Sequence, residues 1–143
     1  MKNYLIPLVA LVIISSSNIR AAEKTYFLSI EEALNRHSTL VNDNVELYFA
    51  TQPHREIIEN FGAFVSNKKT NGWGKEPRES CSWVFMSAIK SLQQRAVTEG
   101  GNAVVNIHSY YNEIEMSDEQ KYECHDSRLS GVALRGTVVR LEK

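Results

Sequence analysis

The sequence predicts an α+β fold, a mixed or antiparallel sheet of about four strands with one long helix packed on one face and short helices near the N-terminus. Three observations carry this. Phe85, Ala88, Leu92 and Ala96 recur at helical spacing with Ile89 beside them, and Gly100-Gly101 ends the run. Apolar stretches follow at Ala103–Tyr111 and Gly131–Leu141, with a strand-like segment at Val45–Phe49 before the helix.

Met1-Lys2-Asn3 is a short charged start, Tyr4–Ile14 an almost unbroken apolar run, and Ser15–Asn18 a break. This is the pattern of a secretory signal peptide, with cleavage after Ala21. The apolar run is too short to span a hydrocarbon core of roughly 30 Å, so the expected mature chain, residues 22–143, has no membrane anchor. Removing residues 1–21 takes away Lys2 and Arg20 and no acid, leaving 14 bases against 17 acids, a net charge of −3. That balance argues against a nucleic-acid binder, which carries a basic excess or stripe.

Ser29-Ile30-Glu31-Glu32 has the form of a capping box, so a helix is expected over Ile30–His37, with the Glu32 carboxylate reaching back. Asn42-Asp43-Asn44 is turn chemistry, and Val45–Phe49 alternates as a strand. Pro53 suits a helix start, Ile57, Ile58 and Phe61 would share its apolar side, and Gly62 would stop it. Ala63-Phe64-Val65 reads as a strand and Asn67–Glu79 as a long loop, with Trp73 folded back onto the core. Ser80 would cap the helix Cys81–Glu99. In the strand after it, Ala103, Val105 and Ile107 would form the packing side, with Asn106, His108 and Tyr110 opposite. Asn112–Gln120 is a polar hairpin loop, Tyr122–His125 a short strand, and Gly131–Leu141 a long one with Val132, Leu134 and Val138 on one face.

Two cysteines in an exported chain read as one disulfide, Cys81–Cys124. It would close a loop of about 44 residues, worth at most roughly 4 kcal/mol on the chain-entropy model. Candidate chemistry is sparse. His108 could be a ligand or an acid–base group; the plainer reading is an exposed or hydrogen-bonded structural histidine. Cys124 and His125 could bind zinc or copper if the cysteine were free, but neighbours on a strand point to opposite faces. With Cys124 oxidised, His125, Asp126 and His108 are the remaining metal candidates. Gly72-Trp73-Gly74-Lys75-Glu76 contains a Gly-Lys pair but lacks the upstream glycine and the Ser or Thr of a P-loop, and no G-x-G-x-x-G or G-x-S-x-G occurs. A thiol enzyme would need Cys81 free with a histidine beside it.

Two segments carry a family resemblance. They are the helix end and joint Gln94-Arg95-Ala96 to Gly100-Gly101-Asn102-Ala103-Val104-Val105, and the closing strand Gly131–Val139. With them, residues 63–141 resemble the YbjQ-like small bacterial domains, a family labelled heavy-metal-binding. Their helix–strand–hairpin core recurs in the outer-membrane stress sensor of the Rcs pathway. The family's joint is typically Gly-Ala-Asn-Ala-Val; here Gly101 replaces the alanine. Asn67–Gly72 and Tyr122–His125 are similar to segments of exported proteobacterial proteins sometimes named excinuclease ATPase subunits, a name the missing P-loop argues against. The resemblance implies a sheet with the long helix on one face and assembly into ring-like oligomers. The disulfides of the Rcs sensor agree with the pairing above; its lipid anchor has no counterpart, since no cysteine lies near the cleavage region.

The functional expectation is an exported, periplasmic or secreted, non-enzymatic binding or envelope-associated module, with no catalytic residue and no cofactor. Its partner would be an envelope protein or further copies of itself. A metal-binding periplasmic protein is the first alternative, a hydrolase or thiol enzyme the second.

Overall fold

The computed structural model describes residues 22–143; the expected signal peptide, residues 1–21, lies outside them. The described chain is an α+β fold with a mixed sheet of six strands rather than about four. In order these are β1 (Lys24–Ser29), β2 (Glu46–Phe49), β3 (Ile57–Asn71), β4 (Ala103–Ser109), β5 (Lys121–Asp126) and β6 (Leu129–Leu141). Helix α1 (Ile30–Arg36) follows β1, and the long helix α2 (Pro77–Glu99) joins β3 to β4.

β6 is the spine. One edge pairs antiparallel with β3 along its whole length. Its other edge is shared, with β4 opposite Leu134–Val139 and β5 opposite Ser130–Gly131. β1 lies outside β5 antiparallel, and β2 lies outside β4 parallel. The outer edge of β3 has no strand partner among the described residues.

The anticipated helical stripe is the core. Cys81, Phe85, Ala88, Ile89, Leu92 and Ala96 are all buried against Val104, Ile107, Tyr122, Cys124, Val132, Leu134 and Val138. The Phe85 and Tyr122 rings stack with centroids 4.1 Å apart. Gly136 lies opposite the helix, where a Cβ would come within 2.6 Å of Val104 Cγ1. Gly100 ends α2 at φ 86°, a left-handed stop. Gly101 then passes so close to β6 that a Cβ would lie 2.7 Å from the Val139 carbonyl oxygen. Asn102 binds the Leu141 amide and carbonyl with its side chain and so ties this joint to the end of β6. The buried Gln93 amide binds Asn42 and the Val45 carbonyl and fixes the turn before β2 to the helix.

Several sequence expectations are corrected. The helix expected from Pro53 is absent: Ile57–Phe61 open a 15-residue strand. β6 offers a partner along this whole stretch, and the ladder overrides a local pattern compatible with a helix. Gly62 uses its φ of 98° at an irregularity between Asn60 and Gly62, not at a helix stop. α1 and a 3-10 turn at Ser38–Leu40 are therefore the helical elements at the N-terminal end. The Asn67–Glu79 loop shrinks to residues 72–76, because Asn67–Asn71 pair with Leu129–Ala133 and α2 starts at Pro77. The helix start belongs to Pro77, preset for a first turn; Ser80 is buried inside the helix and caps nothing. Ser29 does cap α1, accepting from the Glu32 amide at 3.1 Å. The Glu32 carboxylate, expected to reach back, instead pairs with Arg36 and Arg78. Trp73 is 76% exposed rather than folded onto the core.

β4 brings the last correction. It ends at Ser109, and Asn106 sits at φ 50° where its register against β6 shifts. One residue out of step moves later side chains to the other face. Val104 and Ile107 therefore face α2, whereas Ala103 and Val105 join Val139, Leu141 and Tyr48 in a second cluster. The expected packing trio of Ala103, Val105 and Ile107 is thus split between the two faces.

Candidate functional site

The face of the sheet away from α2 gathers the polar residues. Along β5, Tyr122 and Cys124 turn into the core, so Glu123 and His125 share the opposite side. The His125 ring lies flat against Tyr111, with centroids 3.5 Å apart and planes 10° from parallel. Tyr111 comes from a 3-10 turn at Tyr111–Glu113, just after β4. His125 Nδ1 lies 2.9 Å from Glu23 Oε1, and Nε2 is bonded to Glu123 Oε1. The Tyr111 hydroxyl donates to Glu23 Oε2 at 3.3 Å. Burial first, and then the Glu23 carboxylate, pushes the Tyr111 phenol above its ordinary range. Three separate segments, the start of β1, the 3-10 turn and β5, therefore meet on one imidazole.

The second cluster surrounds His108. Its Nδ1 lies 2.8 Å from the Asn106 carbonyl oxygen, and Nε2 is 3.8 Å from Glu115 Oε2. The Tyr110 ring stands edge-on to it, and the Arg135 guanidinium lies over the Tyr110 ring, 5.3 Å from its centroid.

The sequence candidates are thus not brought together. His108 and His125 belong to different clusters on the open face. Asp126, next to His125 on the strand, points the other way. It accepts from Ser130 Oγ at 2.5 Å, and Ser130 in turn lies 2.7 Å from Ser80 Oγ under α2. Gly72 packs over Asp126 and Ser130, where a Cβ would lie 2.7 Å from both Asp126 Oδ1 and Ser130 Oγ. Glu23, Tyr111 and Glu115 emerge only with the fold, since nothing in their spacing links them to a histidine, whereas strand alternation already puts Glu123 on the face of His125. Among the described residues no three His, Cys, Asp or Glu side chains are grouped to hold one metal ion. Around His125 the reason is geometric: its two nitrogens point apart, so the two carboxylates cannot converge on one ion.

Cys81 and Cys124 form the expected disulfide, with Cα atoms 6.0 Å apart. Both are fully buried. Beside the disulfide, at the same N-terminal end of α2, His37 stands edge-on to the half-exposed Trp83 and bonds Ser82 Oγ at 3.0 Å. Burial, then the neighbouring Arg36, lowers its basicity.

No protein-family model matches this chain, and neither a curated protein nor a solved structure does.

Proposed function

We propose that this chain is an exported, non-enzymatic binding module that acts through protein contacts made along the outer edge of β3. The observation that carries this is the combination of a 15-residue edge that has no strand partner among the described residues and three exposed aliphatic residues on the same strand, Ile57, Ile58 and Val65. Exposed edges present unused backbone donors and acceptors, and proteins commonly cover or charge them. Here Lys68 and Lys69 charge one end and irregularities twist the other, while Ala63–Asn67 pairs regularly with β6. An extended segment of a partner adds to such an edge as one more strand, with side-chain contacts setting specificity. An envelope protein is the partner expected of a periplasmic or secreted chain.

Export is supported by the N-terminal sequence and by the buried disulfide, which suits an oxidising compartment. Among the described residues no helix is long and apolar enough to cross a membrane. The YbjQ-like resemblance supports a role in assembly, in which the partner is a second copy. The thiol-enzyme alternative needs a free Cys81, which the disulfide occupies.

Photo-crosslinking in the cell envelope tests the reading. A photoreactive residue at Val65 is expected to give a discrete adduct, identified by mass spectrometry and lost on adding the edge substitution Ala63→Pro. The same probe at Lys90, exposed on α2, should not form it. Equal labelling from both positions, or none from Val65, overturns the proposal. Light scattering on the pure protein separates a second copy from a foreign partner.

A further inference from the structure

His108 carries an inference independent of the β3 edge. Its side chain is only 4% exposed. Nδ1 faces the Asn106 carbonyl oxygen at 2.8 Å. A carbonyl only accepts, so Nδ1 holds the proton and donates it. In the neutral ring, Nε2 is then a bare lone pair, and among the described residues it has no hydrogen-bond partner. The Glu115 carboxylate, another acceptor, lies 3.8 Å from it. Two acceptors facing each other are satisfied by a positive centre between them. A backbone carbonyl on Nδ1–H is also how proteins fix the tautomer that offers Nε2 to a metal.

We propose that His108 Nε2 and the Glu115 carboxylate bind one first-row divalent cation of the zinc class, with water in the remaining positions. Zinc bonds to imidazole nitrogen and carboxylate oxygen run about 2.0–2.2 Å, which places two donors of a tetrahedral set roughly 3.4 Å apart. Glu115 is 57% exposed and can close the difference by a small rotation. Swung outward, the same side chain opens Nε2 to solvent and lets the ion in. Arg135, paired with His108 across the ladder, is an opposing charge, and Glu115 offsets it. With two protein ligands and a cation nearby, the site holds an exchangeable ion, not a structural one. Tyr110 walls the histidine on its edge and offers no charge. The His125 cluster is the internal control, since both of its nitrogens already face carboxylates.

Titration of the oxidised protein with zinc chloride, followed by calorimetry and by long-range nitrogen NMR of the imidazoles, tests this. One ion per chain should bind, shifting the His108 Nε2 resonance and leaving that of His125 in place. Glu115→Gln, an exposed substitution that spares the fold, should weaken binding by at least about tenfold. His125→Ala should bind zinc as the parent does. No binding at millimolar zinc, unchanged affinity in Glu115→Gln, or a shift centred on His125 overturns the proposal. None of these outcomes bears on partner binding at β3.

Discussion

The Tyr111 ring lies face to face with the His125 imidazole, 3.5 Å between centroids, and through it the turn after β4 is pinned to β5. The Tyr111 hydroxyl extends the contact to Glu23 at the start of β1. Tyr111→Leu keeps bulk but loses the stack and the hydrogen bond. It should cost about 1 kcal/mol. Urea unfolding measures the loss, and hydrogen exchange should show the amides of β1 opening first. Uniform exchange across the sheet would mean the ring does not anchor that edge.

The Cys81–Cys124 bond ties α2 to β5 across 43 positions of sequence, inside the core. The double variant Cys81→Ala/Cys124→Ala should lose about 2–4 kcal/mol. Denaturant midpoints of the oxidised, reduced and double-variant proteins check this. Thiol titration under denaturing conditions should find two thiols only after reduction.

Three glycines separate three physical costs. At Gly136 a methyl would press on Val104 and Ile107, at 2.6 and 3.2 Å, so Gly136→Ala should cost about 1–3 kcal/mol by overpacking. At Gly62 a methyl meets open space but φ is 98°, so Gly62→Ala should cost about 1 kcal/mol through backbone strain alone. At Gly131 the nearest atoms, Lys69 Cγ and Tyr111 Cε2, lie at ordinary contact distances, and Gly131→Ala should stay within about 0.5 kcal/mol of the parent. Thermal unfolding of the three variants should give that order.

His37 sets a pH dependence. Ser82 Oγ donates its proton to the Glu79 carbonyl, so the His37 Nε2–H must donate to Ser82. A second proton at Nδ1 would add charge to a partly buried ring beside Arg36, which lowers the folded-state pKa below 6.5. The unfolded chain therefore binds the proton first as pH falls. The contribution of His37 is complete above the unfolded value and is lost as pH drops through the folded one. Parent stability should decline below about pH 6.5, and His37→Gln should flatten that decline. Parallel curves for the two proteins would remove His37 as its source.

The parts of this fold legible in the sequence are those decided by neighbours along the chain. The α2 stripe from Cys81 to Ala96 and the Gly100 stop follow from helical spacing and from the conformational freedom of glycine, and all of the stripe is buried. The Ser29 cap and the core face of β6 followed from equally local rules. Ile57, Ile58 and Phe61 misled because their spacing fits a helix until a 13-residue partner, β6, is laid beside them. The polar run Asn67–Asn71 looks like a loop, yet an edge strand with one uncovered face tolerates it. The candidate sites were less legible still. His108 and His125 were visible as chemistry, but their carboxylates come from Glu115, Glu23 and Glu123, placed by a turn, a strand end and a shared strand face.

The α+β class, the helix register, the glycine joint at 100–101 and the pairing of the two cysteines are written into the chain before it folds, because each rests on local periodicity, φ preference or simple count. The length of β3, the split of β4 between two faces at Asn106, and the pairing of particular acids with particular histidines come only with the folded chain. Those depend on pairing register and on the meeting of segments up to a hundred residues apart, where the free energy lies in long-range hydrogen bonds and packing that no short stretch of chain encodes.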